Sequence, residues 1–225
     1  MRRALACLLA LGMLAACDSF TPGASILTEV RTSVRSILEA RRTADAPAPA
    51  LDPLIDTALA GITGPLSLAV AETTLETALL AEFGVNGAFQ TFTTPSRQNV
   101  TLQNGVMTAT RGLGYDLLSA QATPTVALIT GRRTGEAPRQ HRYLTIEGTE
   151  VALDLWCRIE LAGAELLVLE RGAPVQTQQM AEICRGPGRI YITNLYWVGA
   201  DGYIWQSRQW VSPEYGNLAI QTLRR

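Results

Sequence analysis

From residue 66 onward, apolar and polar positions alternate with a period of two. Leu66–Ala71, Ala88–Thr93, Asn99–Gln103 and Val106–Thr110 are short runs set between Gly, Pro and Asn, the pattern of half-buried strands divided by turns. Asn104-Gly105 and Asp201-Gly202 are tight-turn dipeptides, because such turns need a positive φ that Gly adopts without steric cost. Further strands are predicted at Glu76–Gly84, Arg142–Glu147, Glu150–Leu161, Ala164–Glu170, Val175–Cys184 and Gly216–Leu223, although Glu72–Glu82 has a helical composition. Gly131–Gln140, GRRTGEAPRQ, reads as a polar exposed loop.

The period changes before residue 66. Ser25 looks like an N-cap, and Ile26, Leu27, Val30, Val34, Ile37 and Leu38 form one stripe at helical spacing, with Arg31, Arg35, Arg41 and Arg42 off it. Such a helix packs on a sheet or lies on a membrane surface. Thr43–Pro53 is an extended connector, and Leu54–Ala60 a short helix stopped by Gly61. The predicted fold is mainly β: an antiparallel meander forming an open half-barrel with an N-terminal helix packed against it. The economical arrangement wraps the barrel around that helix.

Composition alters this picture in two ways. The 225 residues suit a single domain, placed at 25–225. All 19 basic residues are arginine and the net charge is −1; removing Arg2 and Arg3 with a leader takes it to −3. A nucleic-acid partner, which would want a basic face, is therefore not expected.

The leader sets the compartment. Met1-Arg2-Arg3 is a charged start, and Ala4–Met13 is apolar but too short to span a bilayer core of roughly 30 Å. Leu14-Ala15-Ala16-Cys17 is a lipobox. Residues 1–16 are then a signal peptide, Cys17 carries the acyl chains, and 17–24 is a tether. The membrane is the first expected partner, since several acyl chains on one residue anchor stably. The rest of the chain faces the periplasm. Asp18, after the Cys, favours inner-membrane retention in enteric bacteria, so the choice of membrane stays open.

Cys157 and Cys184 remain as an even pair in an oxidising compartment, which points to a disulfide. A meander with one strand between them would set them near 9.6 Å apart, beyond the roughly 7 Å that a bridge allows. Either Cys184 folds back or the two stay as thiols. Two Cys and one His do not suggest a metal site, and no cofactor is expected.

Catalytic signatures are missing from the sequence: it has no G-x-S-x-G and no H-E-x-x-H. His141, the single histidine, lies between Arg139 and Arg142 in the predicted loop and reads as solvated. Arg111-Gly112-Leu113-Gly114-Tyr115-Asp116-Leu117 lacks the G-x-G-x-x-G spacing, so its glycines mark a bend and not a dinucleotide site. The chain reads as a non-enzyme.

What remains is Ile190–Trp210, two strands joined at Val198–Gly202. Trp197, Trp205 and Trp210, with Gln206, Arg208 and Gln209, are the mixture a glycan-binding strand needs: indole faces for C–H surfaces, amides and a guanidinium for hydroxyls or a uronate. The same residues suit a packed core with solvated strand ends. An Arg facing a barrel interior would need a partner, with Glu170 or Glu182 available.

Asn194, Tyr196-Trp197-Val198, Gly202 and Gln206-Ser207-Arg208-Gln209 resemble the C-terminal hairpin of the YjbF/GfcB family of lipoproteins, found in capsule and exopolysaccharide gene clusters. The lipobox and Asn99–Leu118 are similar to the same family. The resemblance implies a LolA-like half-barrel, an outer-membrane location, and a non-catalytic accessory role with polysaccharide or polysaccharide-export proteins as partners. The other readings are an acyl-chain carrier and a structural lipoprotein docking through Ser25–Ala40.

Overall fold

A computed structural model describes residues 51–225. The expected helix at 25–40, Cys17 and the tether lie outside them. Helix α1 (Leu51–Gly61) is followed by β1 (Leu66–Ala71), β2 (Thr77–Asn86), β3 (Phe89–Thr93), β4 (Asn99–Gln103), β5 (Val106–Arg111) and β6 (Leu117–Gln121). Helix α2 (Thr123–Thr130) leads to β7 (Gly135–Leu144), β8 (Glu150–Leu167), β9 (Val175–Arg185), β10 (Tyr191–Val198), β11 (Ile204–Ser212) and β12 (Gly216–Arg224). No helix among the described residues is long and apolar enough to cross a membrane.

The strands form one antiparallel sheet in the order β5-β4-β3-β2-β1-β12-β11-β10-β9-β8-β7-β6. Every neighbour is also a neighbour in sequence except β1 and β12, which pair from Leu66 to Ala71 against Arg224 to Leu218. The first and last strands therefore seal the meander into a nearly closed barrel, and its free edges are the consecutive strands β5 and β6. The predicted mainly-β meander is the fold found.

Side chains bridge that seam where the backbone ladder is missing. The Asp116 carboxylate accepts from the Thr110 hydroxyl at 2.9 Å, the Gly112 N–H at 2.9 Å and the Leu113 N–H at 3.1 Å. The Thr110 hydroxyl accepts from the Leu117 N–H at 3.0 Å. Arg111 donates to the carbonyls of Leu117 and Leu118 across the gap. Gly112 and Gly114, at φ 81° and 92°, make the bend that brings these groups together.

Helix α1 packs on the outer face, where buried Ile55 meets Leu68, Val70 and Ala219. Burying such a side chain is worth about 1.5–3 kcal/mol. The helix begins three residues earlier than expected, with Pro53 in its first turn, where a missing N–H costs nothing. So α1 lies outside the barrel, while the helix at 25–40 that the barrel was expected to wrap lies outside the described residues. The barrel interior is filled by side chains and by α2, which caps one end with Val126 and Ile129 against β7, β8 and β10. Helix α2 is absent from the predicted elements, although Pro124 in its first turn and Gly131 just past its end are ordinary helix-boundary residues.

Two strand assignments need correction. Gly131–Gln140 is not an exposed loop, because residues 135–144 form β7, with Ala137, Arg139, His141 and Tyr143 buried and Glu136, Pro138 and Arg142 exposed. The polar composition hid an alternation in which Arg and His take the inward positions. Glu150–Leu161 and Ala164–Glu170 are one strand, β8, which bends at Gly163 (φ 141°) through a register shift and does not end there.

That continuity removes the geometric obstacle to the disulfide. Counting β8 as two strands placed a strand between the cysteines. In fact Cys157 on β8 and Cys184 on β9 are directly opposed, with Cα atoms 3.9 Å apart and a sulfur–sulfur bond of 2.03 Å.

Candidate functional site

The inward faces of β7, β9, β10 and β11 build a polar crossbar through the barrel. Strand alternation aims Arg139, Glu182, Asn194, Tyr196 and Gln209 at one another, and all five are buried. Glu182 is the hub. It accepts from Arg139 Nη1 at 2.5 Å, Asn194 Nδ2 at 2.7 Å and the Tyr196 hydroxyl at 2.7 Å, all on Oε2. Oε1 of Glu182 and Nε of Arg139 are buried without a partner among the described residues.

The crossbar also satisfies backbone that the sheet leaves open. Arg139 Nη2 donates to the Met107 carbonyl at 3.0 Å, and Gln209 Oε1 accepts from the Met107 N–H at 2.7 Å. Gln209 Nε2 donates to the Gly105 carbonyl at 3.0 Å. These are groups on the free edge of β5, which would otherwise be buried orphans. Asn194 Oδ1 accepts from the Trp210 N–H at 2.8 Å, past the last ladder pair of β10 and β11 at Leu195 and Arg208. Arg139, Asn194 and Gln209 thus replace backbone partners that barrel geometry removes, and Glu182 and Tyr196 hold these side chains in place.

Charge states follow from burial and proximity. Burial pushes the Glu182 carboxyl up, but the Arg139 charge and three donated hydrogen bonds outweigh it and hold the group below the usual carboxylate range. Burial and the Glu182 charge push the Tyr196 phenol well up, so it stays a donor. For His141, burial and then the Arg139 charge push the imidazole well below its ordinary value.

His141 corrects the expectation of a solvated histidine. It is fully buried, stacks on Trp210 at 5.6 Å between ring centroids, and neither ring nitrogen has a hydrogen-bond partner among the described residues. Tyr143 meets the same indole edge-on. His141 therefore serves as a neutral aromatic in the core. Its folded-state pKa is depressed, so the unfolded chain takes up the proton first. The stability it permits is complete above about pH 6.5 and falls as pH drops below that. His141→Phe is expected to flatten the melting temperature between about pH 6.5 and 5.5, where histidine is the main side chain titrating in the unfolded chain. An unchanged slope in the variant would sink this reading.

The remaining candidates of the hairpin do not share one surface. Trp197 is buried on the outer face and donates to Glu165 at 2.8 Å. Gln206, also outward and buried, accepts from Gln221 at 2.8 Å. Arg208 faces outward, and its partner is neither Glu170 nor Glu182. It forms a two-toothed ion pair with Glu72 in the β1–β2 turn, which Asn217 also contacts at 2.9 Å. Trp210 is partly buried against the core, and Trp205 lies beside Tyr203, which lines an opening. The Trp205 ring packs edge-on against Tyr203 at 5.2 Å, and Arg225 lies over both rings at 3.9 and 4.1 Å.

The opening is a cavity of about 700 Å³ at the end of the barrel where α2 caps only the β7–β10 side. Sequence reasoning missed it, because its walls come from six separated segments. Its one legible sign was Asp201-Gly202. Gly202 has φ 81°, and a Cβ there would lie 2.8 Å from the Thr130 carbonyl at the end of α2. The hairpin turn can press against α2 only because this residue has no side chain.

The trio Cys157, Glu182 and Cys184 has its sulfur and carboxylate atoms within 4.8 Å of one another. With the sulfurs bonded to each other and Glu182 engaged with Arg139, it is not a ligand set in this state.

A family model described as "Group 4 capsule polysaccharide lipoprotein gfcB, YjbF" matches residues 52–223, which run from α1 to β12. The chain belongs to the YjbF family. A crystal structure of the hypothetical lipoprotein YmcC from Escherichia coli (K12) has the same fold, with a TM-score of 0.67. It is 13% identical, and the match covers 80% of this chain and 98% of that one. No curated protein matches the sequence. The residues that carry the YjbF likeness are mostly joints of the barrel. Asn194, Tyr196 and Gln209 belong to the crossbar, Gly112 and Asp116 to the seam, and Arg208 to the clamp on the β1–β2 turn.

Proposed function

We propose that this YjbF-family chain is a lipid-anchored, periplasm-facing accessory protein in the production or export of a capsule or exopolysaccharide, and that it works without catalysis. The observation that carries the reading is the family match across 52–223, together with a lipobox ending at Cys17. The chemistry of the barrel agrees with it. The strongest cluster of ionisable groups, around Glu182, is sealed from solvent and spent on backbone and neighbouring side chains, whereas a catalytic group must reach substrate. Carriage of an acyl chain has less support, because the crossbar and the apolar clusters on either side of it fill the centre of the barrel.

The test is surface polysaccharide in a deletion strain complemented with wild type, Cys17→Ala or Cys17→Ala carrying a cleavable secretory signal. Wild type is expected to restore polysaccharide and both unanchored forms to fail. Unchanged polysaccharide on deletion would refute the reading. Arg208→Ala is unsuited to mapping a working surface. It unpins the turn at Glu72 and is expected to lower stability by about 1–3 kcal/mol, the worth of hydrogen bonds between charged groups, as chemical denaturation would measure.

A further inference from the structure

We infer that the cavity at the α2 end of the barrel binds a neutral, hydroxyl-rich ligand, a short stretch of uncharged glycan. The proposal rests on the accessory role only for the origin of that glycan. Phe92, Leu102 and Ile220 give the cavity apolar walls, and β1, β11 and β12 add Ser67, Ser207 and Thr222. At about 700 Å³ it falls in the size range of small-molecule sites.

Two features of the lining select the ligand. Ser67 is 6% exposed, lines the cavity, and its hydroxyl makes no hydrogen bond among the described residues. Ser207 accepts from Gln209 Nε2 at 2.9 Å, which leaves its own proton to give, and the Thr222 hydroxyl lies 3.1 Å from that of Tyr203. A methylene chain laid here would strand these groups without water, at about 1–3 kcal/mol for each one left unpaired. A ligand with hydroxyls on the edges of C–H faces would satisfy both the walls and the donors.

The second feature is charge. The cationic group at the rim is Arg225, and it is already held by Asp201 at 2.9 Å and stacked over Tyr203 and Trp205. Among the described residues no Arg lines the cavity itself, so a uronate or phosphate would enter without a counter-charge. Neutral sugar units fit; acidic ones do not.

Trp205 does not itself line the cavity but packs edge-on against Tyr203, which does, so its indole reports on changes at that wall. The full chain in nanodiscs is titrated with maltotriose and cellotriose as neutral probes, trigalacturonate as an acidic probe and myristate as an acyl probe, following tryptophan fluorescence. At least one neutral trisaccharide is expected to give a saturable change, absent in Trp205→Phe. Ser67→Leu, which fills the cavity, is expected to weaken binding at least tenfold with the far-ultraviolet circular dichroism unchanged. Gln90→Ala, at the cavity wall and half-buried, provides a second variant if Ser67→Leu misfolds, and it is expected to weaken binding about threefold or more. Absence of saturable binding by either neutral probe, binding unchanged in these variants, tighter binding of trigalacturonate, or displacement of a bound sugar by myristate would each overturn the proposal. Polysaccharide levels are not read here, so the cavity and the accessory role can fail separately.

Discussion

Glu182→Ala is expected to destabilise the barrel by about 3–5 kcal/mol, the usual result of removing one partner from a buried ion pair. The size comes from what is left behind. Arg139 would remain charged and buried, with its Nη1 donor facing only the Tyr196 oxygen at 3.4 Å. Asn194 would lose its acceptor at the same time, and the Tyr196 hydroxyl would keep only the more distant Gln209 Oε1 at 3.3 Å. Glu182→Gln keeps an acceptor but not the charge, so a smaller loss is expected. Arg139→Met combined with Glu182→Leu should recover most of the stability, because no charge is then stranded. Urea unfolding of the four proteins measures this directly. A loss below about 1 kcal/mol for Glu182→Ala would mean that water enters and hydrates Arg139, since an unpaired buried charge cannot be that cheap.

The pair has a pH signature of its own sign. The folded-state pKa of Glu182 is depressed, so its contribution is present above the unfolded value of about 4.3 and lost as pH falls below it. This window lies on the acid side of the one assigned to His141. In wild type the two should follow in sequence as pH is lowered, and Glu182→Gln should remove only the second.

How much of this could be read from the chain is instructive at particular residues. Strands with clean alternation and a proper turn were legible to within a residue or two: β1, β3, and β4 with β5 around Asn104-Gly105. Failure came where polar residues face inward. Arg139 and His141 look like loop residues because a Pro and four other polar groups surround them, yet they occupy core positions of β7. Nothing local reveals this, because their partners, Glu182 and Trp210, are 43 and 69 residues away. The rule that an inward Arg needs a buried carboxylate was sound, and Glu182 was one of the two acids considered. It was attached to Arg208, whose outward position follows from the register of β11 against β12. Likewise the aromatic and amide residues of the hairpin suggested one surface, while alternation and a bulge near Trp210 send them to the outer face, the core and the rim. Cross-barrel pairing is a property of closure, and closure is not written in any short window.

Loss of the Cys157–Cys184 bond is the second large effect expected. The bridge closes a loop across a sequence separation of 27 residues, for which the chain-entropy account gives about 3–4 kcal/mol at 25 °C. Its position adds to this. It ties β8 to β9 two residues from Glu182, so the strand that carries the hub of the crossbar is fixed to its neighbour where the charge must be placed. Cys157→Ala with Cys184→Ala should lower the unfolding free energy by that amount and leave the strand pairing intact, since the ladder on both sides of the bridge continues unbroken from Trp156 to Leu161. Both sulfurs are buried, so reductant alone should act slowly on the folded protein and quickly once urea opens it. Combining the double alanine variant with Glu182→Ala separates two ideas. Additive losses would mean that the bridge acts through the unfolded chain. A combined loss smaller than the sum would mean that part of its effect is to hold Glu182 against Arg139, because that part can be lost only once.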